Sequence, residues 1–301
     1  MKKVGKFIGC FFPIIVALLC QVAISIGFSL VYGIYLGIKM AAMGMTDAAE
    51  QELYLAESMS NGNVLMIITA IATLSTLLVG ALWYRGYRPA TDFKLKEVVN
   101  GKLLAAMACL GLSLQFLISM CLNAVYPILP QDLTEEYSAL MEQLIGGNIW
   151  LSLLVTVILA PLAEEFLFRG ITLKMAQKIM PFMAANILQA ILFGIYHMNW
   201  IQGVYAFVLG LILGFTAEYF HSIWASILLH AFVNGSAEIL SHLPEVVTET
   251  IVGVVGLAVV GVILLFVAAK LYPMAKKEPV IAKSTEEIPE NEMFRENSFD
   301  E

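Results

Sequence analysis

The sequence predicts an all-α fold, namely a polytopic integral membrane helical bundle with about eight transmembrane helices. Two observations carry this prediction. Of the 301 residues, 59% are hydrophobic and 14% are charged, and the mean hydropathy is +0.82, whereas a soluble domain carries roughly 25% charged residues. The apolar residues are also grouped in runs near the ~20 residues that a helix needs to cross a bilayer. Together these features indicate several membrane spans.

Taken in order, the apolar runs are separated by polar loops. They lie at about 9–38, 63–84, 103–126, 149–179, 182–198, 203–220, 222–240 and 247–272. The first run follows a short basic start, but it is too long for a cleaved signal peptide, and we predict a retained span. The second run ends in Trp83 and Tyr84, an aromatic pair typical of the membrane interface.

The fourth and fifth runs decide whether the polar residues within them can meet. With spans of ordinary length, Glu164 would lie near one membrane face and His197 near the other. After Arg169 the sequence is a good helix former up to Pro181, with only Gly170 weakening it. A helix over 149–179 would be ~45 Å long at 1.5 Å per residue, with Glu164 at its middle. We expect the fifth span likewise to continue past His197 towards Gly203, which would bring both residues to one depth.

The basic residues follow the loops in a regular alternation. On one side of the eight-span arrangement lie Lys2, Lys3, Lys6, Arg85, Arg88, Lys94, Lys96, Lys102, Lys174, Lys178, Lys270, Lys276 and Lys277. The opposite loops are acidic and carry Lys39 as their one basic residue. Because cytoplasmic loops are enriched in Lys and Arg, we predict an integral cell-membrane protein with both termini cytoplasmic.

The distribution of polar residues divides the chain into three parts. Residues 1–148 are predicted to be a three-span scaffold, residues 149–272 hold spans four to eight, and residues 273–301 are a polar, acidic tail predicted to be disordered.

No basic patch or nucleic-acid-binding motif is found, so the expected surroundings are the lipid bilayer and no nucleic acid. Cys10, Cys20, Cys109 and Cys121 lack metal or disulfide spacing and are predicted to be core residues.

Three charged side chains stand at the end of an apolar run, in the stretch APLAEEFLFRG from Ala160 to Gly170. A charge in the hydrocarbon layer costs at least ~2.5–3.5 kcal/mol, so such residues face a cavity or a partner. Glu165 and Arg169 are four residues apart with the acid first, the favourable order for an ion pair on one helix face. Glu164 points about 100° away and is left free for another role.

Two further spans carry polar groups at helical spacing. Phe193 and His197 are four apart in the fifth span, and His230 and Asn234 are four apart in the seventh. Glu164 and a neutral imidazole can hold a water molecule, with the carboxylate as general base. A second imidazole and a carboxamide can stabilise the oxyanion that forms when water adds to a carbonyl. The set therefore suits amide hydrolysis, and no GxSxG, GxGD or HExxH motif offers another route.

Each of these residues also has a purely structural interpretation. The Glu165–Arg169 pair serves packing as readily as catalysis, and Phe193 is expected to pack. Asn234 suits interhelical hydrogen bonding. Asn186 and Gln189 are expected to be packing residues. The polar residues near the ends of later spans, Glu218, His221, Glu238 and His242, are expected to be solvated.

The ordered set EExxxR (Glu164, Glu165, Arg169), FxxxH (Phe193, His197) and HxxxN (His230, Asn234) resembles the CPBP family. This family comprises CAAX-type prenyl endopeptidases and bacteriocin-processing or self-immunity proteins, also called Abi proteins. The resemblance covers roughly 149–240. It implies that Glu164 and His197 activate water, that His230 and Asn234 form the oxyanion site, and that Glu165 and Arg169 support them.

The resemblance leaves the metal open, because the family has been described both as metalloprotease-like and as glutamate-dependent. Glu164, His197 and His230 can supply three ligands to a catalytic zinc. However, no two of them form an i,i+4 ligand pair, and Asn234 is a poor zinc ligand. We therefore expect a metal-free glutamate mechanism, with zinc as the alternative.

The sequence thus predicts an intramembrane endopeptidase acting on a peptide or membrane-protein substrate, whose identity and prenylation it does not reveal. A non-proteolytic self-immunity protein or membrane scaffold is the alternative, although a protein that only binds partners has no need of buried charge. A proton-coupled transporter is a third interpretation. It would be expected to show span-breaking features in repeated halves, and the sequence shows none.

Overall fold

The computed structural model describes residues 2–88, 92–145 and 147–276, and within these ranges every regular element is a helix. In chain order they are α1 (Lys2–Gly9), α2 (Phe12–Ala42), α3 (Ala48–Met59), α4 (Gly62–Tyr87), α5 (Leu95–Val98), α6 (Gly101–Val125), α7 (Gln131–Ile145), α8 (Ile149–Gln177), α9 (Phe182–Tyr196), α10 (Trp200–Tyr219), α11 (Ile223–Ser241), α12 (Glu245–Thr248) and α13 (Ile251–Ala275), with a short 3-10 turn at Tyr126–Ile128. Most of the tail predicted to be disordered, from residue 277 onward, lies outside the described residues.

The polytopic helical bundle predicted from composition is confirmed. Among the described residues, seven helical segments are long and apolar enough to cross a membrane. They are Val4–Ala42, Gly62–Gly86, Gly101–Ile128, Ile149–Gln177, Trp200–Tyr219, Ile223–Ser241 and Ile251–Ala275. The remaining predicted span, α9, has 15 residues and is ~22 Å long at 1.5 Å per residue, which is shorter than the ~30 Å hydrocarbon core.

Side-chain caps explain where many of these helices begin. The first backbone N–H groups of a helix have no partner within it, and a short polar side chain satisfies one of them. At the starts of α3, α4, α6, α8, α10, α11 and α13, a capping side chain accepts a hydrogen bond from such an N–H group. In the same order, the capping residues are Asp47, Asn61, Asn100, Asn148, Asn199, Ser222 and Thr250. These polar residues therefore mark where the helices begin.

The expectation for the fifth span was wrong, because α9 ends at Tyr196 and does not continue past His197. Met198 has a φ of 53°, a left-handed conformation that a helix cannot contain. Asn199 then caps α10 by accepting the N–H of Gln202 at 3.0 Å. The chain therefore reverses direction within the bundle, directly after His197.

The short α9 and the long α8 nevertheless place their polar residues at similar depths. Leu173 of α8 and Ala185 of α9 pack in one buried cluster. Measured from this level at 1.5 Å per residue, Glu164 lies ~14 Å and His197 ~18 Å further into the bundle. The continuous α8 agrees with the prediction for the fourth span.

Helix α8 contains two π-helical stretches, Leu154–Leu159 and Phe166–Leu173, on either side of the two glutamates. The N–H of Ala160 pairs with the carbonyl of Val155, five residues back. In this register the carbonyl of Thr156 would pair with residue 161, which is a proline and has no N–H. The Thr156 carbonyl is therefore released from the helix. Such π turns occur frequently at functional sites.

Contacts between loops define two faces of the bundle. On the first face, Ser222 Oγ donates to the Phe93 carbonyl at 2.9 Å, and Asn100 Nδ2 donates to the Ala275 carbonyl at 3.1 Å. Lys174 lies 3.7 Å from Asp92 on this face. Burial raises the pKa of the Asp92 carboxyl, although the charge of Lys174 acts in the opposite direction.

On the second face, the loop before α8 meets the start of α4. The N–H of Asn148 donates to Asn63 Oδ1 at 2.7 Å. Asn199 Nδ2 donates to Glu136 Oε1 of α7 at 3.3 Å, so α7 covers the reversal between α9 and α10. The loops predicted to be basic and acidic thus meet on opposite faces.

The three N-terminal spans pack directly on the later helices. Gly170 of α8 lies against Tyr84 of α4, where an added Cβ would come within 2.7 Å of the aromatic ring. Gly111 of α6 lies against Phe232 of α11, where an added Cβ would come within 2.6 Å of the Phe232 Cβ. Small residues of this kind allow helices in membranes to approach closely. The division of the chain at residue 148 stays a prediction.

Candidate active site

A buried ion pair on α8 forms the base of the site. Arg169 Nη1 donates to Glu165 Oε1 at 2.8 Å, and both side chains are 0% exposed. This is the i,i+4 pair expected from the sequence. An unpaired charge at such a position would be strongly destabilising, so each residue requires the other.

The guanidinium of Arg169 is further held by two neighbouring helices. Its Nη2 donates to the carbonyl of Gly210 in α10 at 3.2 Å, and its central carbon lies 4.4 Å from the ring centroid of Phe193 in α9. Gln189 Nε2 donates to the same Gly210 carbonyl at 2.9 Å. Gln189 and Asn186 are fully buried and bonded to each other and to α10, which is the packing role expected of them.

His230 connects α11 to the two glutamates of α8. Its Nδ1 lies 2.9 Å from Glu165 Oε1. An ionised carboxylate only accepts hydrogen bonds, so Nδ1 carries the hydrogen and donates it to Glu165. In a neutral ring Nε2 is then an acceptor. This Nε2 lies 3.7 Å from Glu164 Oε2.

Glu164 occupies a different environment from its neighbour in sequence. Its side chain is 14% exposed, whereas that of Glu165 is 0% exposed. The distance of 3.7 Å between Glu164 Oε2 and His230 Nε2 is too long for a hydrogen bond. Both atoms are also acceptors, so neither carries a hydrogen to donate to the other. A donor beside both atoms, such as a water molecule, can bridge them.

His197 adds a second imidazole next to the same aromatic ring. Its Nδ1 lies 2.8 Å from the carbonyl of Phe193, so Nδ1 carries the hydrogen here too and Nε2 is an acceptor in the neutral ring. The ring centroid of Phe193 lies 4.8 Å from that of His197 and 5.8 Å from that of His230, nearly perpendicular to both. Phe193 therefore orients both histidines and Arg169 by packing.

Asn234 is fixed by the irregular part of α8. Its Nδ2 donates to the Thr156 carbonyl at 2.8 Å, the carbonyl that the π turn and Pro161 release from helix pairing. One N–H of the carboxamide is used in this bond, and the second is available to another acceptor. The sequence signal for this contact is Pro161, which has no N–H to offer to a carbonyl of the preceding turn.

Contacts link six of the seven residues singled out from the sequence, and Asn234 lies one helical turn after His230 on α11, although the pairings are not those first expected. Glu164 approaches His230 directly, whereas the resemblance pairs it with His197. The expectation for Glu238 was wrong: it is 7% exposed and accepts a hydrogen bond from Ser152 Oγ at 3.1 Å. Ser152 and Thr156 were not recognised from the sequence, because single hydroxyl residues in a span are common and seldom functional.

The residues named as alternative zinc ligands do not assemble into a metal site in this geometry. Within the described part of the chain, no group of three or more His, Cys, Asp or Glu side chains is arranged to hold a metal ion. The Nδ1 atoms of both histidines are bound to the Phe193 carbonyl and to Glu165. A metal-binding histidine often makes such a bond through its second ring nitrogen, so these bonds do not distinguish the two mechanisms. The expectation of a metal-free site therefore stays a prediction.

Comparison with known proteins supports the resemblance drawn from the three motifs. Residues 146–236 match the model of a family described as type II CAAX prenyl endopeptidase Rce1-like. The matched stretch contains all seven predicted site residues and confirms, for this part of the chain, the similarity to CPBP intramembrane proteases. No curated protein matches the chain significantly, and no solved structure does so either.

Proposed function

We propose that this chain is an intramembrane endopeptidase that hydrolyses a peptide bond with a water molecule activated by Glu164. The observation that carries this proposal is the arrangement of Glu164 Oε2 and His230 Nε2, 3.7 Å apart, with His230 held in place by Glu165. A water molecule beside this gap can donate one hydrogen to each atom. The family match over residues 146–236 supports peptidase activity in general.

In the proposed reaction, Glu164 acts as the general base. Glu164 removes a proton from the water, whose oxygen adds to the carbonyl carbon of the peptide bond. The carbonyl oxygen becomes an oxyanion, and the free N–H of Asn234 is a suitable donor to it. Glu164 then returns the proton to the leaving amine as the C–N bond breaks. One water is consumed, and one carboxyl and one amine are formed.

The two imidazoles have complementary parts in this scheme. When neutral, either His197 or His230 holds water through Nε2, and when protonated it donates to an oxyanion. The resemblance assigns water to His197 and the oxyanion to His230, whereas the short distance to Glu164 favours His230 for water. We propose that one imidazole acts in each role, and that Glu165 and Arg169 are positioning residues.

We propose a glutamate mechanism without metal, with zinc as the alternative, because Glu164, His197 and His230 are not grouped as metal ligands among the described residues. No step is assigned to zinc. We propose that the substrate is a peptide or a membrane protein reached from the bilayer, with an unwound segment at Glu164.

The test is cleavage of a library of membrane-adjacent peptides by the purified protein in nanodiscs. We expect cleavage by the wild type, its loss in Glu164→Gln, and no change in Glu142→Gln, which alters an exposed carboxylate of α7. Cleavage should persist with a zinc chelator. Loss with chelator and recovery with zinc would contradict the metal-free mechanism.

The alternative is a self-immunity or scaffold protein that binds a partner without cleaving it. The same variants distinguish the two interpretations in cells. If Glu164→Gln supports the cellular phenotype as well as the wild type does, and the wild type cleaves no peptide, the peptidase proposal fails. If the phenotype is lost with cleavage, the alternative fails.

A further inference from the structure

A row of polar groups leads away from Glu164 between the antiparallel helices α8 and α11. We call it the polar row, and it consists of Ser152, Thr156, Glu164, His230, Asn234 and Glu238. The first three lie on α8 and the others on α11. They meet in three pairs, which lie at successive turns of α11, whereas on α8 two turns separate Glu164 from Thr156.

The middle and far pairs of the polar row are directly bonded. Asn234 Nδ2 donates to the Thr156 carbonyl at 2.8 Å. One turn further on, Ser152 Oγ donates to Glu238 Oε2 at 3.1 Å. In an α-helix of 3.6 residues per turn, residues four apart point in somewhat different directions around the helix axis. The wider π turn at Leu154–Leu159 reduces this difference. The Ser152 side chain and the Thr156 backbone carbonyl both contact α11.

The far end of the polar row is a buried carboxylate with an unsatisfied oxygen. Glu238 is 7% exposed, and among the described residues its Oε1 has no hydrogen-bond partner. His242 Nε2 lies 3.9 Å away, and the imidazole is 44% exposed at the end of α11. A carboxylate inside a helical bundle is costly unless it is paired or hydrated.

The two ends of the polar row share one geometry. At each end, a carboxylate oxygen and an imidazole nitrogen are separated by slightly more than a hydrogen bond, 3.7 Å at Glu164–His230 and 3.9 Å at Glu238–His242. Polar atoms at such separations are typically bridged by water. Between the ends stand hydroxyl and carboxamide groups and the small side chain of Ala160.

We propose that the polar row is a hydrated path by which water reaches Glu164 from the face on which His242 lies, with Glu238 keeping its far end hydrated. The purpose assigned to the path, supplying water for hydrolysis, rests on the proposed function. Each turnover consumes one water, and the surrounding hydrocarbon holds none. Hydration of the path itself is independent of catalysis and is measured separately.

The test is the reaction of single cysteines with a charged, membrane-impermeant methanethiosulfonate in a background lacking Cys10, Cys20, Cys109 and Cys121. Thr156→Cys reports on the path and leaves the carbonyl that binds Asn234 unchanged. Leu154→Cys and Ile158→Cys are controls on neighbouring positions of α8, 42% and 51% exposed on the outside of the bundle. We expect ~10-fold faster labelling at position 156, because thiolate forms where water reaches it.

Substitutions that close the far end of the polar row should abolish the difference in labelling rate between position 156 and the two controls. In the Thr156→Cys background, we expect Glu238→Leu, and separately Ser152→Leu on the other helix, to reduce labelling to the level of the controls, while Glu238→Gln retains it. Thermal unfolding of each variant shows that the bundle is intact. Labelling at position 156 that is as slow as in the controls, or unchanged when Leu replaces Glu238 in an intact protein, overturns the proposal.

A failure of the hydrated path can be distinguished from a failure of the proposed peptidase activity. The labelling is repeated with Glu164→Gln, which removes the proposed base but not the path. Labelling without peptide cleavage in the wild type would reject the peptidase and leave the path. Cleavage without labelling would reject the path and leave the peptidase.

Discussion

At the scale of single residues, the site depends on one carboxylate that is itself not placed to react. Glu165 Oε1 accepts hydrogen bonds from both Arg169 and His230, so it neutralises a buried cation and fixes the tautomer of an imidazole at once. Glu164, one residue earlier, is left to face the imidazole with an accessible oxygen. Two adjacent glutamates on one helix thus acquire different roles because they point about 100° apart.

This dependence gives a prediction for stability. Replacing Glu165 by Ala leaves the buried Arg169 unpaired, and we expect a loss of ~3–5 kcal/mol in the free energy of unfolding. The double variant Glu165→Leu with Arg169→Met should recover most of this loss, because both charges are removed. Denaturation in detergent measures the stability, and peptide cleavage measures the function.

The double variant separates packing from positioning. If the ion pair only packs, restored stability should restore cleavage. If Glu165 also positions His230, the stable double variant should still cleave with a much lower kcat and a little-changed KM. A double variant with full activity would contradict the positioning role.

Asn234 offers a second prediction at this scale. We expect Asn234→Ala to lower kcat by ~10²–10³, the usual effect of removing one oxyanion donor, with a smaller change in KM. Asn186→Ala is the matched control, since it removes a buried carboxamide that contacts α10 away from the glutamates. Steady-state cleavage compares the two, and equal effects on kcat would contradict the oxyanion role.

The sequence identified Glu164, Glu165 and Arg169 because charge within an apolar run is rare and needs a reason. It did not identify the burial of Glu238, because a residue near the end of a span has the same sequence signature whether it faces lipid headgroups or a neighbouring helix. That distinction depends on Ser152, which comes from a helix 86 residues away in the chain.

At the scale of elements, the decisive feature is that α9 is short. The sequence predicted a fifth span of ordinary length continuing past His197, whereas the helix stops there and the chain turns back. The reversal depends on the left-handed Met198 and the cap at Asn199, and no hydropathy pattern reports it. The length of α8 was predicted correctly, because the absence of strong helix-breaking residues after Arg169 is a local property.

The hairpin of α9 and α10 is held by close backbone contact. A Cβ added at Gly194 would lie 2.6 Å from the carbonyl oxygen of Gly203. We expect Gly194→Val to force the helices apart, with a loss of ~1–3 kcal/mol in stability and a loss of cleavage as His197 is displaced. Gly33→Val is the control, since an added Cβ there meets nothing within 4 Å.

The two variants are compared by thermal unfolding and by peptide cleavage. Both introduce a β-branched residue into a membrane helix, so a difference between them reports the helix contact and not the intrinsic preference of valine. Equal behaviour of the two proteins would contradict the proposed importance of the close contact.

At the scale of the whole molecule, the helices connect two chemically different faces. The described loop that carries Arg88 and Lys94 and the end of α8 with Lys174 meet near Ser222 and the end of α13, and the acidic loops meet near Asn63 and Asn148. The sequence predicted eight crossings with basic and acidic loops alternating between the two faces. The same alternation is found with seven long helices and one short helix. This is because α9, although short, still returns the chain towards the second face before α10 crosses back.

This arrangement leads to a prediction for topology. Helix α1 packs beside the end of α8, and Ala275 is bonded to Asn100, so both ends of the described chain lie on the basic face. Because basic loops resist translocation, we expect a reporter that is active only in the cytoplasm to be active at either terminus. A reporter that requires export should be active when inserted between α3 and α4, near Asn61. Activity of the exported reporter at a terminus would contradict this orientation, and would also reverse the side from which the polar row reaches Glu164.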